Sequence, residues 1–250
     1  MDSKDWHDRF TIQAKWTRAL REFLFNQLSI NPDSRILETG CGTGVILDDL
    51  RSYSQRPVFG IDHDVSHLSE ARIQSPELLI ACSEAEHLPW TVNSFDFVIS
   101  HYFFLWIKEP LKVLQETRRV LKPGGRIVIL AEPDYLARVD FPQEFWGLAE
   151  LQTRSLINQG VNPMIGRQLL QLLTQAGFEN IQYGVSGFQA DSTSIPEWFE
   201  SEWKILQNDL EGTLSKEQIL EYRKLDLDAR QLGSRVLWVP TFYAFGNKNY

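Results

Sequence analysis

Apolar residues recur along this chain at two different spacings. Trp16, Leu20, Phe23, Leu24 and Leu28 fall at helical intervals, and the turn-forming stretch "NPDS" at 31–34 ends that run. Short β-like runs then alternate with amphipathic ones. The pattern predicts strands over 36–39, 58–61, 78–82, 95–100 and 126–132. It predicts helices over 44–53, 66–73 and 109–121, the last opening on Pro110 and closing at "KPGG". Strands alternating with helices in this way build a parallel sheet covered by helices on both faces. After Glu132 the pattern changes. Residues 136–165 and 188–232 read mostly as helix, with a capping box at Ser215–Gln218. Between them, 166–177 predicts a helix ended by Gly177, followed by a strand over 178–187. A last strand is expected over 235–246. Pro240 inside it has no N–H for a ladder, so it belongs at an edge or a bulge.

Composition narrows the classes. At 250 residues, 43% hydrophobic and 23% charged, with a mean hydropathy of -0.27, the chain has the make-up of a globular protein. The polar N-terminus shows no signal-peptide core and no run is apolar enough to span a membrane, which points to the cytoplasm. Cys41 and Cys82 make no disulfide framework. The net charge is -8, and residues 188–232 carry ten acidic against five basic residues. With no Lys/Arg cluster to form a basic face, nucleic acid is excluded as a partner.

Candidate chemistry begins at "RILETGCGTGVIL", 35–47, where Gly40, Gly42 and Gly44 sit between a predicted strand and a predicted helix. In open α/β sheets ligands bind at the carboxyl ends of the strands, where the chain must turn tightly and let a ligand approach. Asp62 ends the second strand, 20 residues after Gly42 (62 - 42 = 20), a placement that suits an acceptor for ribose hydroxyls. The spacing is G-x-G-x-G; the dinucleotide fingerprint needs G-x-G-x-x-G, and its last position here is Val45. A ligand with ribose but no pyrophosphate fits better.

"LETGCGTG" (37–44), "GIDHD" (60–64), "SEAEHLPWTVNSFDFVIS" (83–100) and "RRVLKPGGRIVI" (118–129) together resemble the class I S-adenosylmethionine-dependent methyltransferases, in the same order and spacing. The resemblance covers about 30–135 and is closest to the type 11 small-molecule group, which includes quinone C-methyltransferases. It implies a Rossmann-like, doubly wound, mostly parallel seven-stranded sheet with an antiparallel last strand. The whole chain, 1–250, would be one methyltransferase domain: a leading helix in 1–30, a cofactor-binding core in 31–135, and helical lid insertions at 136–165 and 188–232. The cofactor it implies is S-adenosyl-L-methionine, leaving S-adenosyl-L-homocysteine as product. By position, Glu38, Gly40, Cys41, Gly42 and Gly44 would line its methionine and ribose, Asp62 would hold the ribose hydroxyls, and His63 would lie against adenine. Glu84 and Ala85 would meet the adenine edge, Ser100 and His101 would flank the sulfonium, and Trp16 and Arg18 would close over it from the leading helix.

For chemistry, His101 is either a general base toward an arriving hydroxyl or amine or a satisfied polar residue at the sheet's edge. Tyr102, Asp134 and Tyr135 are weaker candidates of the same kind. His63 and His67, beside Asp62 and Asp64, lack the further ligands a metal needs. Two rivals stay open: an NAD(P)-dependent oxidoreductase sharing the sheet, and a non-catalytic methyltransferase-like scaffold. The expected acceptor is a small, largely apolar or aromatic metabolite, neutral or cationic, because Phe141, Phe145, Trp146, Trp198, Phe199, Trp203 and Tyr222 crowd the lid segments and their acidic excess repels polyanions.

Overall fold

The computed structural model describes residues 3–189 and 195–249; the first two positions of the expected leading helix and residues 190–194 of the second lid segment lie outside the described residues. The chain runs α1 (Ser3–Gln27), β1 (Ile36–Thr39), α2 (Val45–Leu50), β2 (Val58–Asp62), α3 (Val65–Gln74), β3 (Leu79–Cys82), β4 (Phe95–His101), α4 (Pro110–Val120), β5 (Leu121–Pro133), β6 (Val139–Phe141), α5 (Phe145–Asn158), α6 (Ile165–Gln175), β7 (Glu179–Gln189), α7 (Phe199–Asp209), α8 (Lys216–Gln231) and β8 (Val236–Asn247). The strands form one sheet in the order β3-β2-β1-β4-β5-β8-β6, with β7 on the other edge of β8. β1 to β5 are parallel, and β8 is antiparallel to each of its neighbours. The sheet has eight strands instead of the expected seven, because β6 lies within a segment read as mainly helical.

Helices cover both faces. Leu24, Phe25, Leu47, Leu50, Leu68 and Ala71 of α1, α2 and α3 bury one face, while Val113, Leu114, Val120, Ile165, Leu169 and Leu173 of α4 and α6 bury the other. Each of the larger of these contributes roughly 1.5–3 kcal/mol by leaving water. A third cluster, Phe145, Leu148, Phe199, Trp203, Leu206 and Ile219, joins α5, α7 and α8 into a separate layer beyond the carboxyl ends of the strands. Phe145, Trp198, Phe199 and Trp203 of the expected lid thus pack inward, whereas Phe141 and Trp146 are exposed.

Pro240 sits inside the sheet, at neither end of β8. On one side it pairs with Gly187 of β7. On the other side β5 leaves after Pro133 opposite Thr241, and β6 begins with Val139 opposite Trp238. The Pro240 carbonyl accepts from Asp134 N at 2.9 Å in that interval. Its ring nitrogen therefore faces the gap between two partner strands, where no ladder acceptor is left unmatched. Among the described residues no helix is long and apolar enough to cross a membrane.

Candidate functional site

The carboxyl ends of β1, β2 and β4 open into a cleft of about 610 Å³. Its floor is the glycine turn. Gly40 (φ +70°) and Gly42 (φ +52°) take left-handed backbone, and a Cβ on either would run into the ring of Phe103 or Phe10 at 2.2 and 2.7 Å. The turn is pinned to the second strand: Cys41 N donates to Ile61 O at 2.8 Å and Gly42 N to Asp62 Oδ2 at 2.8 Å. Asp62 Oδ1 accepts from Asp64 N at 2.9 Å, so two backbone donors fix the carboxylate at the cleft wall.

Of the residues expected to bind cofactor, Glu38, Gly40, Cys41, Gly42, Asp62, His63, Glu84, Ala85 and His101 line this cleft. Four lie elsewhere. Gly44 turns the chain into α2 and packs against Leu78 and Ala71. Ser100 is buried within the sheet between Thr39 and Ile129, its hydroxyl without a partner. Arg18 points to solvent and pairs with Glu22 one turn on. Trp16 faces a different cavity, described below. The reason for the last two is the rotation of α1: at 100° per residue Phe10, Gln13 and Thr17 share the face that meets the cleft, and Trp16 and Arg18 flank it. Trp6 and Phe10 supply the apolar cover that Trp16 was expected to give, and His7 Nδ1 docks on Thr43 Oγ1 at 2.9 Å.

Two carboxylates of the cleft, Glu38 and Asp62, are acceptors of the kind an ammonium and a pair of hydroxyls require. Glu38 is buried, its Oε2 has no hydrogen-bond partner, and burial pushes its pKa well above the ordinary carboxylate range. Such a group is costly until a donor such as an ammonium reaches it. Asp62 lines the same cleft, with Phe10, Ile61 and Ala85 as apolar parts of its wall.

His101 does not have the geometry of a free base. Its Nε2 lies 2.8 Å from Thr17 Oγ1, which also receives Arg21 Nη1 at 2.7 Å. Desolvation, with a smaller push from Arg21, lowers its pKa to about 3. The loop after it is held from β5. A bulge at Ala131 (φ +57°) re-aims the strand, and the buried Glu132 carboxylate accepts from the backbone N–H of Phe103 and Phe104 at 2.9 Å and of Leu105 at 3.2 Å. Sequence reasoning passed over Glu132, although an acid within the apolar run "IVILAEP" must find buried donors. Burial raises its pKa to about 7 against those three hydrogen bonds. The folded state therefore keeps a proton that the unfolded chain releases from about pH 4.5. Its share of the stability should fall as pH rises from about 4.5 to about 7, by at most ~1.4 kcal/mol per pH unit. Glu132→Gln should lose this pH dependence, so the wild-type-minus-variant difference in unfolding free energy should fall across that window; a difference independent of pH would contradict the assignment.

A second, smaller cavity of about 110 Å³ lies behind the first, beneath α1, α5, α7 and α8. Trp16, Phe145, Trp198, Phe199 and Trp203 form much of its wall, with Leu237, Val239 and Thr241 of β8 below. Gln13 and Tyr102 line both cavities and are the partition between them. Tyr102 follows β4 in a left-handed conformation (φ +49°), and desolvation raises its pKa, as it does that of Tyr135 in the second cavity. Asp134 belongs to neither cavity; it is buried, accepts Arg167 Nη2 at 2.7 Å and caps the turn at Ala137. Gln13 and Arg9, both facing the second cavity from α1, gave no sequence signal, since polar residues on an amphipathic helix ordinarily face water.

The profile of the type 11 methyltransferase family, described as a methyltransferase domain, matches residues 37–129. Residues 37–129 thus carry a type 11 methyltransferase domain, whose family uses S-adenosylmethionine. An uncharacterised methyltransferase of Schizosaccharomyces pombe is 31% identical over 172 residues, covering 63% of this chain and 62% of that protein. A demethylmenaquinone methyltransferase of Renibacterium salmoninarum is 29% identical over 113 residues, covering 45% and 47%. In fold, the chain resembles phosphoethanolamine N-methyltransferase 2 of Haemonchus contortus, solved with phosphomonomethylethanolamine and S-adenosylhomocysteine: TM-score 0.58, 19% identity, 94% of this chain and 53% of that one. The matched part spans about half to three-fifths of the length of these curated relatives.

Proposed function

We propose that this methyltransferase transfers a methyl group to a small, largely apolar or aromatic molecule held in the second cavity. The observation that carries the reading is the partition: a cleft with carboxylate acceptors suited to the cofactor meets an aromatic-walled cavity, and among the described residues Gln13 and Tyr102 border both. When bound, S-adenosylmethionine supplies an electrophilic methyl on a sulfonium sulfur. The chain's residues do the rest by placement. Asp62 and Glu38 fix the two polar ends of the cofactor, Trp6 and Phe10 of α1 cover it, and Gln13 and Tyr102 border the path between the two sites. His101 braces α1 through Thr17 and does not accept a proton. Alignment in a dry pocket provides the acceleration.

S-Adenosylhomocysteine at about 100 times its Kd should stabilise the fold by about 2.7 kcal/mol, or roughly 5–10 °C in Tm for a chain of this size. NADH should leave Tm unchanged. Incubated with a low-mass metabolite extract, the protein should move label from the methyl of S-adenosylmethionine into that fraction. Stabilisation by NADH instead would restore the oxidoreductase, and cofactor binding without any transfer would favour a scaffold.

A further inference from the structure

The second cavity carries a charge pattern that the acidity of the whole chain conceals. Among the described residues six charged ones line it: Arg9, Arg138, Arg230, Arg235, Glu202 and Asp226. Both carboxylates are engaged. Glu202 pairs with Arg9 across α1 and α7. Asp226 accepts from Arg235 Nε at 2.6 Å and Trp203 Nε1 at 2.9 Å, and Arg230 Nε lies 3.3 Å away. Arg138 and Arg235 share Asp140, which stands behind the lining. The aromatic faces are engaged as well. Arg9 lies over Trp16 at 4.9 Å, Arg230 over Trp198 at 5.4 Å, and Arg235 over Phe145 at 4.0 Å. Among the described residues a cationic acceptor would meet no uncommitted carboxylate in this lining, and its best ring faces already carry guanidinium.

Hydrogen-bond donors gather at one end. Arg9, the buried Asp209 and Arg138 all act electrostatically on the Tyr135 hydroxyl, Asp209 being held by Gln152 Nε2 at 2.9 Å and standing outside the lining, and Arg9 and Tyr135 act in turn on Tyr102. Tyr102 is one of the two residues that also face the cofactor cleft. The guanidinium and phenol donors thus stand at the end of the cavity next to the cofactor cleft. A guanidinium has five N–H donors in a planar fork, so Arg9 keeps donors beyond the one that meets Glu202. Both phenols stay protonated and can only donate to, or accept from, an arriving oxygen.

We propose that the acceptor is an oxyanion on an otherwise apolar or aromatic body, with its charged oxygen at the Arg9, Arg138 and Tyr135 end, and that this oxygen is the atom methylated. The proposal rests on the methyl-transfer reading above and names its substrate class. In the step, a lone pair of the acceptor oxygen forms the new O–CH₃ bond while the methyl–sulfur bond breaks and its electrons stay on sulfur. One anion and one sulfonium cation become a neutral ester or ether and a neutral thioether. No proton is released, so no general base is required. That agrees with the engagement of His101, Glu202 and Asp226 by other groups. The charge balance of the lining here overrides the neutral or cationic acceptor that the acidic surface suggests, because fixed groups within the cavity act at short range while surface charge is screened.

Three probes with one phenyl body separate the charge classes: phenylacetate, 2-phenylethanol and phenethylamine. Each is titrated into the protein saturated with S-adenosylhomocysteine, read by calorimetry and by the fluorescence of the cavity tryptophans. Phenylacetate should bind at least about tenfold more tightly than phenethylamine. Nitrophenol, above its own pKa, serves as the ionised-hydroxyl arm; tighter binding than phenylacetate assigns an ionised hydroxyl, and weaker binding a carboxylate. Arg138→Gln should erase the preference while affinity for S-adenosylhomocysteine is kept, and Tyr135→Phe should weaken it should the first variant fold poorly. Phenethylamine binding as tightly as phenylacetate, or no difference among the probes, overturns the oxyanion proposal alone. A protein that does not bind S-adenosylhomocysteine overturns the methyl-transfer reading, and the oxyanion proposal with it.

Discussion

Asp62→Ala should weaken the binding of S-adenosylhomocysteine about 100-fold or more. The carboxylate accepts Gly42 N and Asp64 N and lines the cleft, where the proposed function gives it the ribose hydroxyls as well. Its removal leaves two backbone donors unmatched next to the ligand, and each buried unmatched group costs about 1–3 kcal/mol. The glycine turn also loses the anchor that holds it at its left-handed geometry. Asp64→Ala is the control. Asp64 caps α3 through Ser66 N at 2.7 Å, so its loss should cost about 1 kcal/mol of stability and little affinity. Calorimetric titration decides the matter: a Kd within threefold of wild type in Asp62→Ala would remove Asp62 from the ribose.

The parts of this molecule that could be read in advance are those where local pattern and global packing agree. The runs at 36–39 and 95–100 are apolar because parallel strands are buried on both faces, and the structure returns them within a residue at either end. The glycine turn and Asp62 were legible because backbone conformation itself demands particular residues there. Other features rest on relations that no local window contains. β6 exists because β8 runs on past the end of β5 and offers a ladder to Val139–Phe141. β5 begins at Leu121, five residues before the apolar run, because Leu121 pairs with Phe95 across a register shift. The partition residues were half seen. Tyr102 follows directly from the fourth-strand motif, whereas Gln13 depends on the rotation of α1 and the placement of α7. The buried arginines escaped for a similar reason: an arginine on a helix predicts a wet surface until its carboxylate partners are known.

Arg235→Ala should be among the most destabilising single substitutions in the chain. Arg235 is buried, donates Nε to Asp226 Oδ1 at 2.6 Å and Nη1 to Asp140 Oδ1 at 2.7 Å, and reaches the Phe141 carbonyl at 3.1 Å. It joins α8, β6 and the start of β8, and it stacks on Phe145 at 4.0 Å. Truncation leaves two buried carboxylates with too few cations between them, and breaking a buried pair from one side costs about 3–5 kcal/mol. At this chain length that corresponds to a fall in Tm of roughly 6–20 °C. Asp226→Asn in the same background should restore part of the loss, since it removes one of the stranded charges. Thermal unfolding of the single and double variants measures the coupling; strictly additive losses would show that Arg235 contributes by packing alone.

The continuity of β8 has a mechanical meaning. Its Thr241–Asn247 part is laced to β5 and its Val236–Trp238 part to β6, and β7 runs alongside nearly all of it. Leu237, Val239 and Thr241 of this one strand floor the second cavity. The floor is therefore an extension of the sheet itself and cannot swing away without tearing ladders on both sides. The roof is helical and is fastened by side chains, chiefly the Arg9–Glu202 pair and the edge contact of Trp16 with Trp198 at 5.6 Å. On the proposed function, the way in and out for an acceptor lies on the helical side, past α1 and α7, and not through the sheet.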